Sequence, residues 1–95
     1  MVTGLCTITL LIHGNNSLKG KRQVLKGLME KVKNRFNVSI AEVGCNDLWQ
    51  RAEIGISAVG NDNAFVNSVL DKVFDYVVSL GTAEVIDRRM EIINF

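Results

Sequence analysis

Proline is absent from this 95-residue chain, histidine occurs once, and tryptophan and tyrosine occur once each. Without proline there is no proline-rich linker, and no low-complexity tract interrupts the sequence. The single histidine, His13, has no base-and-orienter set nameable around it, so nucleophilic catalysis has no candidate machinery. The two cysteines, Cys6 and Cys45, are far apart and form no CxxC pair, which leaves a poor zinc case and no metal site. Nothing else suggests a disulfide-built secreted domain, so free thiols in a reducing cytoplasm are expected. No apolar run approaches the ~20 residues that a membrane-spanning helix requires. The apolar start, "MVTGLCTITLLIHG", lacks a basic leader and alternates like a strand, so it is read as structure and not as a signal peptide. "SLKGKR" lacks the glycine-rich run and the GK[ST] ending of a P-loop, which argues against nucleotide hydrolysis.

What the chain does have is segregated charge. Its formal net charge is +1, yet Ser17–Phe36 holds seven Lys or Arg against the single Glu30, while the remainder carries four Lys or Arg and nine Asp or Glu. Such segregation creates a local field even when the total is near zero.

Hydrophobic periodicity divides the chain into six elements. In residues 5–13, Cys6, Ile8, Leu10 and Ile12 fall on one side of a strand and Thr7, Thr9, Leu11 and His13 on the other. "GNN" breaks the strand, and Ser17 is a natural N-cap for a helix whose apolar stripe is Leu18, Leu25, Leu28, Met29, Val32 and Phe36. Gly20 and Gly27 weaken that helix, and Gly27 suggests a close packing contact. "VSIAEVG" forms a second strand, "CNDL" a turn, and "QRAEIGISAVG" a third strand with Ala52, Ile54, Ile56 and Ala58 inward. Asp62 caps a second helix with inner residues Val66, Val69, Leu70, Val73, Val77 and Leu80, and Gly81 ends it. "AEVIDRRMEIINF" is the last strand. The order β-α-β-β-α-β predicts one α+β domain over residues 1–95, a ferredoxin-like split βαβ with a four-stranded antiparallel sheet and two helices on one face.

With Leu25 at the centre of the buried stripe, Lys19, Arg22, Lys26 and Lys33 lie between about 60° and 120° from it, a line along one flank of the first helix. Lys31 and Arg35 lie on the opposite flank. Lys21 projects close to the apolar stripe, so its ammonium must snorkel or find a partner. Glu42 faces a related conflict: strict alternation turns it inward, so either a bulge resets the phase or it pairs with Lys21 or Arg51. The plain reading of the basic helix is a solvated amphipathic face. The sharper one is an anion-binding surface for the phosphates of RNA, to which Lys19, Lys21, Arg22, Lys26 and Lys33 contribute and which Arg51 and Trp49 extend. Trp49 has its own plain reading, an edge residue plugging the core. RNA recognition by the open sheet face is disfavoured, because the first and third strands carry no aromatic side chain on which bases could stack. Leu11, Val59 and the last strand could instead form a dimer contact.

Three motifs, SLKxKR at Ser17–Arg22, RFNVSxAEV at Arg35–Val43 and DLWQRA at Asp47–Ala52, resemble those of the YlxP-like family of small bacterial proteins of unknown function. They cover about half the chain. The resemblance implies a ferredoxin-like fold and a setting near transcription and translation factors. The expectation is therefore a non-catalytic, cytoplasmic RNA- or ribosome-associated domain without cofactor or membrane partner. The alternative is a homodimeric protein-interaction module.

Overall fold

The computed structural model describes all 95 residues. Six elements follow in the expected order: β1 (Val2–Leu11), α1 (Leu18–Arg35), β2 (Ser39–Gly44), β3 (Arg51–Gly60), α2 (Asn63–Leu80) and β4 (Glu84–Asn94). The strands form one antiparallel sheet in the order β2-β3-β1-β4. This is the ferredoxin-like arrangement. The two inner strands are the ones with the cleanest alternation, since they pair on both sides.

Every inward residue read from β1 and β3 is buried: Cys6, Ile8, Leu10 and Ile12 from the first, Ala52, Ile54, Ile56 and Ala58 from the third. Helix α1 contributes Leu25, Leu28 and Val32, and α2 contributes Val66, Leu70, Val73 and Val77, so one core lies between the sheet and the helix layer. Both N-caps act as expected: Ser17 Oγ accepts from the Gly20 N–H at 3.0 Å, and Asp62 accepts from the Phe65 N–H at 3.1 Å. Gly81 ends α2 with φ 64°, a left-handed conformation that a side chain would disfavour.

β1 begins earlier than its alternation suggests, at Val2. At Gly4, α2 crosses so close that a Cβ would lie 2.5 Å from Val66 and 2.6 Å from Leu70. The strand also stops at Leu11, leaving His13 exposed, with its Nε2 2.9 Å from Glu84. Two irregularities lie on the edge strands. In β2 the pairing shifts between Glu42 and Gly44, and in β4 it shifts where Val85 and Asp87 pair with adjacent residues of β1. Bulges of this kind are common on edges, where they interrupt a regular template for further pairing.

On the helix side of β4, the Arg88 guanidinium stacks 4.3 Å over the Phe74 ring and lies 2.5 Å from Asp71, tying the edge strand to α2. Burial pushes the pKa of the neighbouring Cys6 thiol up; the hydrogen bond and positive charge of Arg88 only partly offset it. Cys6 should therefore remain an unreactive thiol at neutral pH, whereas the partly exposed Cys45 should react. A colorimetric thiol titration should find one reactive thiol per native chain and two after unfolding.

The packing role expected for Gly27 is not found: a Cβ at that position meets nothing within 4 Å. The glycine therefore carries its helix penalty with no compensating contact. Gly27→Ala should stabilise the fold by about 0.5–1 kcal/mol. Thermal unfolding should show Tm rising by roughly 4 °C.

Candidate anion-binding face

The cations of α1 divide into two populations. Lys19, Arg22, Lys26 and Lys33 are exposed, and no carboxylate lies within ion-pair distance of any of them. They share one flank, and the packing shows which way it points. On the other flank, Arg35 stacks 4.8 Å from the centroid of Tyr76 of α2. The four-cation flank therefore faces away from α2, toward the open β2 edge of the molecule. From Lys19 to Lys33 the line is about 21 Å long at the rise of an α-helix.

Lys21 belongs to the other population. Its side chain is 1% exposed, so it is not part of the solvent-facing cation line. The physical reason is its place one turn before Leu25 on the buried side of the helix. The ammonium donates to the backbone carbonyls of Cys45 at 2.8 Å, Asn46 at 3.2 Å and Arg51 at 3.3 Å. An ammonium has three N–H bonds, and all three are engaged. Glu42 Oε2 lies 3.0 Å away but makes no aligned hydrogen bond. The carboxylate forms a close ion pair with the ammonium and neutralises the buried cation. Of the two readings of Glu42 the pairing holds, with Lys21: Glu42 points inward in regular register, and the bulge comes only after it, between Glu42 and Gly44. Arg51 is not its partner.

This buried ammonium organises the β2–β3 connection, residues 45–50. Cys45 takes a left-handed backbone, φ 59°, which costs a non-glycine residue about 1 kcal/mol. Its carbonyl is held twice, by Lys21 and by the Leu48 N–H at 3.0 Å. A second set of bonds ties the connection to the approach to α1. The Asn15 side-chain amide donates to the Ser17 and Trp49 carbonyls, Gln50 Nε2 donates to the Asn15 carbonyl at 3.0 Å, and the Ile12 N–H donates to the Gln50 carbonyl at 2.7 Å. Gly20 fits the same junction, since a Cβ there would collide with Asn15 Oδ1.

The backbone of Trp49 is thus pinned beside the N-terminus of α1 while its side chain stays 53% exposed. The core-plug reading of Trp49 is corrected: the ring lies outside the core, next to exposed Leu48 and Arg51. The sequence pattern had no means of showing that the partners of Lys21 are mainly main-chain carbonyls. Yet the three motifs quoted above supply Lys21, Glu42 and the 47–52 segment, and they converge on this one point.

His13 and the Lys21–Glu42 pair are not brought together. His13 turns to Glu84 of β4, at the opposite edge of the sheet from β2, and makes no contact with Lys21 or Glu42.

Comparison with known proteins places the chain. A model of the family described as "Protein of unknown function (DUF503)" matches residues 3–90. The chain belongs to this family. It is 38% identical over 81 residues to the uncharacterized protein YlxP of Bacillus subtilis (strain 168), covering 85% of this DUF503 chain and 88% of that relative. Among solved structures, the protein YJCS has a TM-score of 0.54 at 15% identity, covering 97% of this chain and 99% of that one. The de novo designed protein Foldit4 has a TM-score of 0.55 at 14% identity, covering 96% and 97%. At such identities the likeness is one of fold alone.

Removing the buried ammonium should be costly. Lys21→Met strands Glu42 and three carbonyls, and urea unfolding should show a loss of about 3–5 kcal/mol. Adding Glu42→Gln to that variant should restore part of the loss, because no unpaired charge then remains.

Proposed function

We propose that this domain binds RNA, either free or within the ribosome, through the outward flank of α1. The observation that carries this reading is the unpaired line of Lys19, Arg22, Lys26 and Lys33. A line of cations about 21 Å long suits a polyphosphate backbone better than a small anion. The cations are not neutralised by their own protein, so phosphates would be their natural counter-charges. The line starts in the first turn of α1, where the positive end of the helix dipole adds to the field.

The pinned 45–50 connection extends the surface. Trp49 offers an exposed aromatic face next to the start of α1, and a base stacked on such a face contributes about 1–3 kcal/mol without sequence preference. Arg51 supplies a further cation at the head of β3. Lys21 acts only as a positioning residue, holding the carbonyl backbone that carries Trp49 and Arg51. The open sheet face has no aromatic side chain on β1 or β3, and only Arg51, at its end, takes part in this reading. A reducing cytoplasmic setting is consistent with the two unpaired thiols.

Binding by this flank should be strongly salt-dependent. Four phosphate contacts predict a slope of log K against log salt of about −3 to −4. The triple variant Lys19→Glu, Arg22→Glu, Lys26→Glu should abolish salt-dependent RNA binding while leaving the circular dichroism spectrum unchanged. Lys72→Glu, an exposed cation on α2, should leave binding intact. RNA and ribosome co-sedimentation across a salt series measures each, and unchanged binding by the triple variant would overturn the proposal.

A further inference from the structure

The face of the sheet away from the helices has no partner within the chain. Its central part is uncharged and built from short side chains, with Leu5, Val43, Val59 and Ile93 standing proud at 38–62% exposure. At its middle lies a shallow depression of about 370 Å³ bordered by Leu5, Thr7, Ala41 and Ser57, with the Val43 side chain filling the space directly above Gly55. Charge is confined to the margins: Glu84, Asp87, Arg89 and Glu91 along β4, and Arg51 with Glu53 at one end. A neutral centre with a charged rim is the anatomy of a protein interface.

We propose that this face is covered by a second copy of the same chain, packed sheet on sheet about a twofold axis parallel to the strands. The registers give the pairing. Leu5 is level with Ser57, and Thr7 with Gly55, across the β1–β3 pair. The axis lays β1 of each copy over β3 of the other. Leu5 then meets the partner copy's small Ser57 in both directions, and Thr7 faces Gly55 and the Val43 side chain that covers it. The same operation sets the charged β4 row over the β2 edge, whose face residues Ser39, Ala41 and Val43 are uncharged, and keeps the two acidic rows apart. A perpendicular axis would superpose them.

The area is sufficient. Four strands about 4.8 Å apart and roughly nine residues long present about 600 Å² per copy. Two copies bury about 1,200 Å², the lower end of stable interfaces. The absence of aromatics allows the roughly 10 Å sheet separation of a sandwich. The α1 flank lies on the opposite side of the sheet and only Arg51, at the rim of this face, is shared, so this inference does not depend on the RNA reading.

Sedimentation equilibrium of the full chain at micromolar concentration tests it. The expected mass is twice the 10.5 kDa of one chain. Leu5→Lys should weaken association by about 30-fold or more. Its circular dichroism should not change, because Leu5 is already 41% exposed in the single chain. Val59→Lys, at the end of the same face, provides a second variant should Leu5→Lys fail to fold, and Val78→Lys on the outer side of α2 should leave the dimer intact. A wild-type chain that stays monomeric overturns the proposal. So does a dimer that persists in folded Leu5→Lys or Val59→Lys protein, or one that Val78→Lys dissociates.

Discussion

A single ammonium group, that of Lys21, joins the parts of this molecule that matter for its surface. It comes from the first turns of α1, is neutralised by Glu42 of β2, and takes its three hydrogen-bond acceptors from the connection to β3 and the first residue of that strand. A buried charge is tolerated only when it is both neutralised and fully hydrogen-bonded. The backbone of residues 45–51 must therefore keep its carbonyls turned inward, and Cys45 must keep its unfavourable left-handed conformation. The outward direction of Trp49 and Arg51 follows from that inward commitment of the main chain.

The same helix shows why positive charge within one segment need not have one purpose. Burial separates Lys21 from Arg22, its immediate neighbour in sequence. A rotation of 100° per residue takes Arg22 out of the apolar stripe and onto the free flank. The inner cation is matched by a carboxylate and three carbonyls, and the line of Lys19, Arg22, Lys26 and Lys33 by solvent alone. A helix of this design has a rigid start, fixed through Lys21 and the Ser17 cap, and an unneutralised field along its side. For the proposed binding, rigidity at that start would spare a partner the entropy of ordering the loop.

The architecture was legible because alternation in the inner strands and the 3.6-residue period in the helices are dictated by burial on one side. Cys6, Ile8, Leu10 and Ile12 could be placed from the sequence for that reason. The conflict between charge and burial at Lys21 and at Glu42 was legible too, and each residue resolves the other's. What pattern could not supply was geometry independent of side-chain type. The carbonyls that receive Lys21 have no residue signature, and Gly27 looks the same in sequence whether or not anything packs against it. Large aromatics usually bury their area, so pattern alone favours a core position for Trp49. Here the Trp49 carbonyl is held by the Asn15 amide, and the ring lies outside the core. The cation line could be drawn from helical angles, but its lack of acidic neighbours emerged only once the fold had placed Glu42 against Lys21 and Asp71 against Arg88.

The central claim is that the Lys21 ammonium is sealed inside and fully bonded. The most direct measurement is the side-chain ammonium region of a proton–nitrogen correlation spectrum of the nitrogen-15-labelled chain at neutral pH. The account predicts one ammonium signal, assigned to Lys21, protected from exchange with water, while the surface lysines are broadened away. A Lys21 ammonium that exchanges as fast as that of Lys26 would contradict it.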